Sequence, residues 1–199
     1  MLSKLALTAA VIFFPSVAHA QWTAEAKCGS RNASFQSAKL VDAVNGAYYK
    51  AAGGTFAPKD CELVKITGPR ELADASGKCF GGLSISPSGH FGRAFRKCGE
   101  GSSEDEARAT AEGFCHEATA KDGEKSAECK TFVGRNWLAG VRCREGEGKD
   151  SQLREVGFSD DKTIVKAVTA AFRQGANGKL KVSNCKLRTI HDASVGKLE

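Results

Sequence analysis

Cysteine has the most chemistry to offer in this chain: eight stand at positions 28, 61, 79, 98, 115, 129, 143 and 185. Their spacing separates three uses. Zinc sites favour close C-x2-4-C pairs with histidine nearby. No two cysteines here are closer than Cys115 and Cys129, and His90, His116 and His191 are scattered singly. A reactive thiolate needs an electropositive, partly open setting; Cys115, with His116 beside it on a helix, is expected to be oxidised instead. An even cysteine count in an exported chain reads as a set of disulfides. No metal and no cofactor is expected.

The other polar residues form no catalytic constellation. Ser88-Gly89-His90 follows Pro87 and reads as a turn, and no G-x-S-x-G elbow occurs in the chain. Glu104, Asp105 and Glu106 fall in the first turn of a helix, where the dipole favours carboxylates without any acid–base role. Ser159-Asp160-Asp161 reads as the cap of another helix and is too poor in oxygen ligands for calcium. Gly81-Gly82 suggests close backbone packing. A binding face is the remaining prospect. Phe91, Arg93 and Arg96 alternate along one segment, with Phe95 and Lys97; Arg135, Trp137, Arg142 and Arg144 cluster in another. Tryptophan with arginine is enriched at recognition hot spots. The competing reading places Trp137 in the core and the arginines in water.

The compartment follows from the N-terminus. Lys4 precedes the apolar run Leu5–Phe14, which is about half the roughly 20 residues that a membrane span needs. Pro15 and the small-x-small triplet Ala18-His19-Ala20 complete the pattern of a signal peptide over residues 1–20. The mature region, 21–199, is expected to be periplasmic or secreted, with no membrane insertion. The net charge of +6 is interleaved with acids along the chain. It lacks the concentrated stripe that nucleic acid demands, but permits an anionic polymer or an acidic protein.

Positioning these residues falls to a repeated element. Ala38–Ile66 and Lys162–Ile190 align without gaps, matching Val44 to Val168, Tyr48 to Phe172, Gly54 to Gly178, Cys61 to Cys185 and Ile66 to Ile190. A diverged middle copy from Glu106 keeps the same interval from Ala111 to Cys129. Each copy reads as helix, turn, strand: apolar residues at helical spacing, then Gly-containing stops, then alternation after the cysteine. Further strands are expected over Cys79–Ser86, Phe91–Arg96, Asn136–Cys143 and Gln152–Phe158. The fold class is α+β, with three helix–strand copies (about 22–80, 81–145 and 151–191) packed on antiparallel strands. Two lobes split near 145–150 would also fit.

Sequence leaves disulfide connectivity open. A helix face and the strand returning beneath it are natural neighbours, so Cys115–Cys129 is the first choice. Treating equivalent positions alike then suggests Cys28–Cys79 and Cys98–Cys143, and leaves Cys61–Cys185. The middle section also resembles a family of small exported bacterial domains of unknown function. The likeness rests on Leu83-Ser-Ile-Ser-Pro-Ser-Gly-His-Phe-Gly-Arg-Ala, Ala107-x3-Ala111-x3-Cys115, Cys129-Lys-Thr-Phe-Val and Asn136-Trp-Leu-Ala-Gly-Val141, and covers about residues 81–143. A cysteine expected near Leu138 is absent, and Cys143 comes later. The resemblance implies the Cys115–Cys129 pairing and no activity.

The function these features lead us to expect is that of a non-enzymatic exported binding protein. Its partner would be a protein or an anionic envelope polymer. The alternative is a small exported hydrolase acting on cell-wall or host material, or an inhibitor of one.

Overall fold

Trp22-Thr-Ala-Glu-Ala-Lys-Cys28 alternates apolar and polar residues, the period of a half-buried strand. In the computed structural model it forms β1 (Trp22–Cys28), with Trp22, Ala24, Ala26 and Cys28 buried. The structure describes residues 21–54, 56–86, 91–94, 103–121, 128–145, 152–175, 180–193 and 196–197, and their side chains except at 91–94, 152–156 and 196–197. The expected signal peptide, His90, Arg96, Lys97 and Cys98 lie outside these residues.

Gly29, at φ 57°, turns the chain into β2 (Arg31–Ser37). Nothing in β2 announces a strand, since Phe35 is its only large apolar residue. The Ser37 hydroxyl then accepts the Lys39 N–H at the entry to α1 (Leu40–Ala52). Leu40, Ala43, Val44, Ala47, Tyr48 and Ala51 recur at i, i+3, i+4 and bury one face of that helix. Gly53 stops it in the left-handed conformation, its N–H donating to the Tyr49 carbonyl. After a 3-10 turn at Pro58–Asp60, β3 (Cys61–Thr67) returns antiparallel along the other side of β1, giving the order β2-β1-β3.

The same connectivity occurs twice more. β4 (Gly81–Ile85), β5 (Phe91–Ala94), α2 (Glu104–Lys121) and β6 (Lys130–Gly134) form a sheet in the order β5-β4-β6. β7 (Trp137–Glu145), β8 (Gln152–Asp161), α3 (Ile164–Gly175) and β9 (Cys185–Asp192) form another, with the short β10 (Gly196–Lys197) outside β9. The fold is therefore α+β, built on three antiparallel sheets. Two boundaries differ from expectation. The third unit opens at Trp137, not near 151, because β7 pairs with both β8 and β9. The pairing of Glu145 with Gln152 makes the 145–150 region a connection within one sheet, not a division between lobes.

Close packing of helix on sheet is bought with small residues. A Cβ on Gly82 would meet the Ala107 carbonyl oxygen at 2.5 Å, and one on Gly157 would meet that of Ala171 at 1.8 Å. The Gly81-Gly82 pair thus marks a close approach of backbones. Helix caps come out in two ways. Ser103 and Glu106 exchange bonds between side chain and backbone N–H at the start of α2. At α3 the cap is Thr163, whose hydroxyl accepts the Lys166 N–H. The expected cap residues Ser159-Asp160-Asp161 instead end β8, and Asp161 accepts the Thr163 N–H.

The first and third units share one core. Tyr48 of α1 stacks on Phe172 of α3 with ring centroids 4.1 Å apart, and both are fully buried. The return strands β3 and β9 each slip register by one residue, at Val64 and at Arg188. Each slip is served by the other unit's helix. Thr169 on α3 accepts the Leu63 N–H at 3.0 Å. Asn45 on α1 accepts the Leu187 N–H at 2.8 Å and donates to its carbonyl at 3.0 Å. Unpaired strand edges invite aggregation; β3 and the stretch of β9 that β10 does not cover are capped reciprocally. The second unit joins the third through Leu83, Leu138 and Ala193, with Phe132 stacked on Phe158.

Register also decides the disulfides. Cys28 stands directly opposite Cys61 on β1 and β3, and the two are bonded with Cα atoms 4.1 Å apart. Cys143 and Cys185 repeat this on β7 and β9 at 4.0 Å. Cys115–Cys129 is bonded as expected. The other expected pairings are overturned: Cys28 is not bonded to Cys79, Cys98 not to Cys143, and Cys61 not to Cys185. Cys79 is also disulfide-bonded. The middle unit differs because the register Ile85↔Lys130, carried one step on, sets Ser86 opposite Cys129. With serine there, Cys129 finds its partner on the helix.

Candidate functional site

At their Cys143–Cys185 end, β7 and β9 present two faces of opposite character, while Leu138 on the same face as Arg142 is buried against Leu83 and Ala193. Val141, Cys143, Cys185 and Leu187 are buried against α3 and the core. Because side chains alternate across a strand, Arg142 and Arg144 on β7 and Lys186 on β9 point to the outer face. Arg142 pairs directly with Lys186, and Arg188 sits exposed at the register slip. Arg142 and Arg144 are half-buried, Lys186 and Arg188 exposed. Burial pushes the Arg142 pKa down to about 10, and the neighbouring Arg188 and Arg144 push it the same way.

The first unit holds the equivalent positions and fills them differently. Lys27 pairs with Glu62, and Val64 occupies the slip. Opposite charges across strands stabilise, whereas like charges directly opposite destabilise. Both units fold alike, so four clustered cations are no requirement of the architecture. Lys186 and Arg188 were not among the residues singled out above. The signal that could have found them is the aligned pair Cys185-Lys-Leu-Arg188 and Cys61-Glu-Leu-Val64.

The face expected from sequence is not assembled as one surface. Trp137 is 2 % exposed and its indole N–H donates to the Ala73 carbonyl, so it is core and leaves the binding face. Arg135 lies over the Phe80 ring at 4.0 Å, where the second and third units meet. It sits at the bend between β6 and β7, seven positions before Arg142. Phe91 and Arg93 lie on β5, an edge strand of the second sheet.

Residues considered for acid–base chemistry are held in structural bonds. Glu104 pairs with Arg108 at 3.0 Å, and Glu106 belongs to the capping box. His116 is exposed on the same helix, about 18 Å from Glu104 at the usual rise. Its Nδ1 approaches the oxidised Cys129 Sγ at 3.9 Å. The Asp160 carboxylate accepts two backbone N–H groups, from Arg135 and Asn136. Among the described residues no three His, Cys, Asp or Glu side chains gather to hold a metal, and no helix is long and apolar enough to cross a membrane.

A second surface surrounds β3. Three shallow concavities of about 530, 540 and 510 Å³ meet there; Val64 lines the first two, Glu62 the first and third, and Val165 the last two. Val64 is 50 % exposed, with charged Glu25, Lys27, Lys65 and Arg70 around it. No family model matches the chain, and neither does any curated protein or solved structure.

Proposed function

We propose that this is a non-enzymatic binding protein, exported to the periplasm or beyond, that docks a partner protein on the β3 surface of its first unit. The observation that carries the reading is Val64, half-exposed at the register slip where the concavities join. An apolar centre ringed by charges is the anatomy of a protein interface. A strand stapled at Cys61 and capped at Leu63 presents that centre rigidly, which lowers the entropic cost of binding. The disulfides are compatible with an oxidising compartment. The like connectivity of the three sheets supports descent from one ββαβ building block.

The test is affinity capture from an envelope extract with the wild-type chain and with Val64→Glu. A specific partner captured by the wild type and lost at least ~10-fold by the variant, a difference of about 1.4 kcal/mol, supports the reading. Equal recovery by both chains, with the variant folded, removes it.

A further inference from the structure

We propose that β3 takes a fourth strand from its partner: an extended peptide segment that adds antiparallel along the free edge past Val64. The proposal rests on the reading of β3 as the docking surface, and states how the partner is held there.

The third unit shows the same arrangement already made within the chain. Its sheet has four strands, because β10 runs antiparallel along the outer edge of β9, with Gly196 against Asp192 and Lys197 against His191. β3 and β9 are counterparts, and each slips register three residues after its paired cysteine. Thr67 and Gly68 therefore correspond to His191 and Asp192. In the first unit the chain does not return along that edge. Pro69 follows Gly68, and the Ala75 N–H is bonded to the Lys162 carbonyl at the start of α3. The order β2-β1-β3 leaves β3 as the outermost strand.

Register identifies the backbone groups left over. Leu63 stands opposite Ala26, and its N–H points away from β1 to Thr169. Inward and outward pairs alternate along an antiparallel strand. Ile66 stands opposite Ala24, two residues from Ala26 on β1, so its N–H and carbonyl also point outward. The next such position is Gly68, the counterpart of the Asp192 that β10 covers. Among the described residues no other element bonds the Ile66 or Gly68 backbone. In the second unit the matching end is closed, because Asp160 accepts the Arg135 and Asn136 N–H groups just past β6. Of three like edges, one is paired, one is capped and one is open.

The open stretch has room beside it. Residues 64–67 form one wall of the concavity of about 540 Å³, and residues 163–165 of α3 with Glu71 and Leu72 form another. Leu72 and Val165 are half-buried against the core and offer apolar contact to a side chain of the incoming strand. Main-chain bonds to Ile66 and Gly68 would hold its backbone, the division of roles usual in strand addition. A recess this short suits a peptide segment and lacks the long, flat edge that drives aggregation.

The probe is a synthetic peptide of residues 193–199, the segment that the fold itself adds to the matching edge. It is titrated into the 15N-labelled protein, whose β9 already carries its own β10. The expected result is saturable amide shifts centred on residues 64–68 and 163–165, with slowed hydrogen exchange at the Ile66 N–H. Ile66→Pro deletes that outward N–H and keeps the bonds to β1, a change that edge strands tolerate. It should weaken binding ~10-fold or more relative to Ile66→Ala, which loses the side chain alone. No saturable binding, shifts at His191 and Asp192 in place of β3, or equal binding by the two variants would each overturn the assignment. If Ile66→Pro does not fold, exchange at Ile66 in the wild type decides: unchanged exchange overturns it. The two readings can fail separately. Partner capture lost in Val64→Glu, with no peptide on the edge, would keep the docking surface and remove the added strand. Peptide on the edge, with capture unchanged in Val64→Glu, would do the reverse.

Discussion

Tyr48 and Phe172 occupy matching positions on two helices more than a hundred residues apart, and their rings lie face to face at 4.1 Å. Around them the first and third units share a single core, so neither can lose its packing alone. Phe172→Ala is expected to destabilise the protein by about 3–5 kcal/mol. Urea unfolding followed by far-UV dichroism should show one transition moved to lower denaturant, with no plateau from a surviving first unit.

Asn45 and Thr169 do matching work on opposite sides of that core. Removing the Asn45 side chain leaves the Leu187 N–H and carbonyl in a half-buried place with no replacement. Asn45→Ala is expected to cost about 1–3 kcal/mol, and Thr169→Ala about 1 kcal/mol. The two serve different strands, so the double variant should lose close to the sum. A strong departure from additivity would show that the two capped edges communicate.

The exchange of Ser86 for a strand cysteine can be reversed. Ser86→Cys combined with Cys115→Ala is expected to bond the new thiol to Cys129, restoring the arrangement of Cys28–Cys61 and Cys143–Cys185. Peptide mapping without reduction reads the outcome. In the unaltered protein, removing both Cys143 and Cys185 should lower stability by about 3–4 kcal/mol, given the 42-residue separation they close.

Alkaline pH acts through the tyrosines. Burial pushes the Tyr49 hydroxyl from 10.0 up to about 12, where it donates to the Cys185 carbonyl. Tyr48, more deeply buried, moves further in the same direction. The folded form therefore holds these protons where the unfolded chain releases them. The Tyr49 contribution is fully present below pH 10, falls as pH rises and is gone above about 12, while that of Tyr48 goes on being lost at higher pH. Urea midpoints should be flat from pH 8 to about 10 and then decline; Tyr49→Phe should decline less steeply.

The helices and return strands of the first and third units were legible because the helical period was clean at Leu40, Val44 and Tyr48. The strand opened on alternation at Cys61 and Leu63, before the slip at Val64 put Ile66 out of phase. Of the two opening strands, β7 was expected over Asn136–Cys143 but β1 was not, and their kinship was hidden. Trp22-Thr-Ala-Glu-Ala-Lys-Cys28 and Trp137-Leu-Ala-Gly-Val-Arg-Cys143 are counterparts. The β7–β8 connection is longer than the turn at Gly29, however, and a gapless alignment anchored on the helices cannot reach across it. That is why Cys143 was separated from Cys28, and why the third unit was expected to begin too late. Trp137 was readable as anchor or core, and tertiary packing against Ala73 decided it. The basic cluster was half legible: Arg142 and Arg144 stand together in sequence, but Lys186 and Arg188 join them only through strand pairing.

The reciprocal capping of β3 and β9 has a temporal side. As the chain is made from its N-terminus, β3 is complete long before Thr169 exists to receive the Leu63 N–H. The interval must be bridged by whatever the first unit can do alone, and the Cys28–Cys61 bond is local to it. Contacts this distant in sequence make for slow folding and prolonged exposure of unpaired edge. A chain truncated before α3 should consequently be prone to self-association through β3, whereas the full-length chain folds that hazard away.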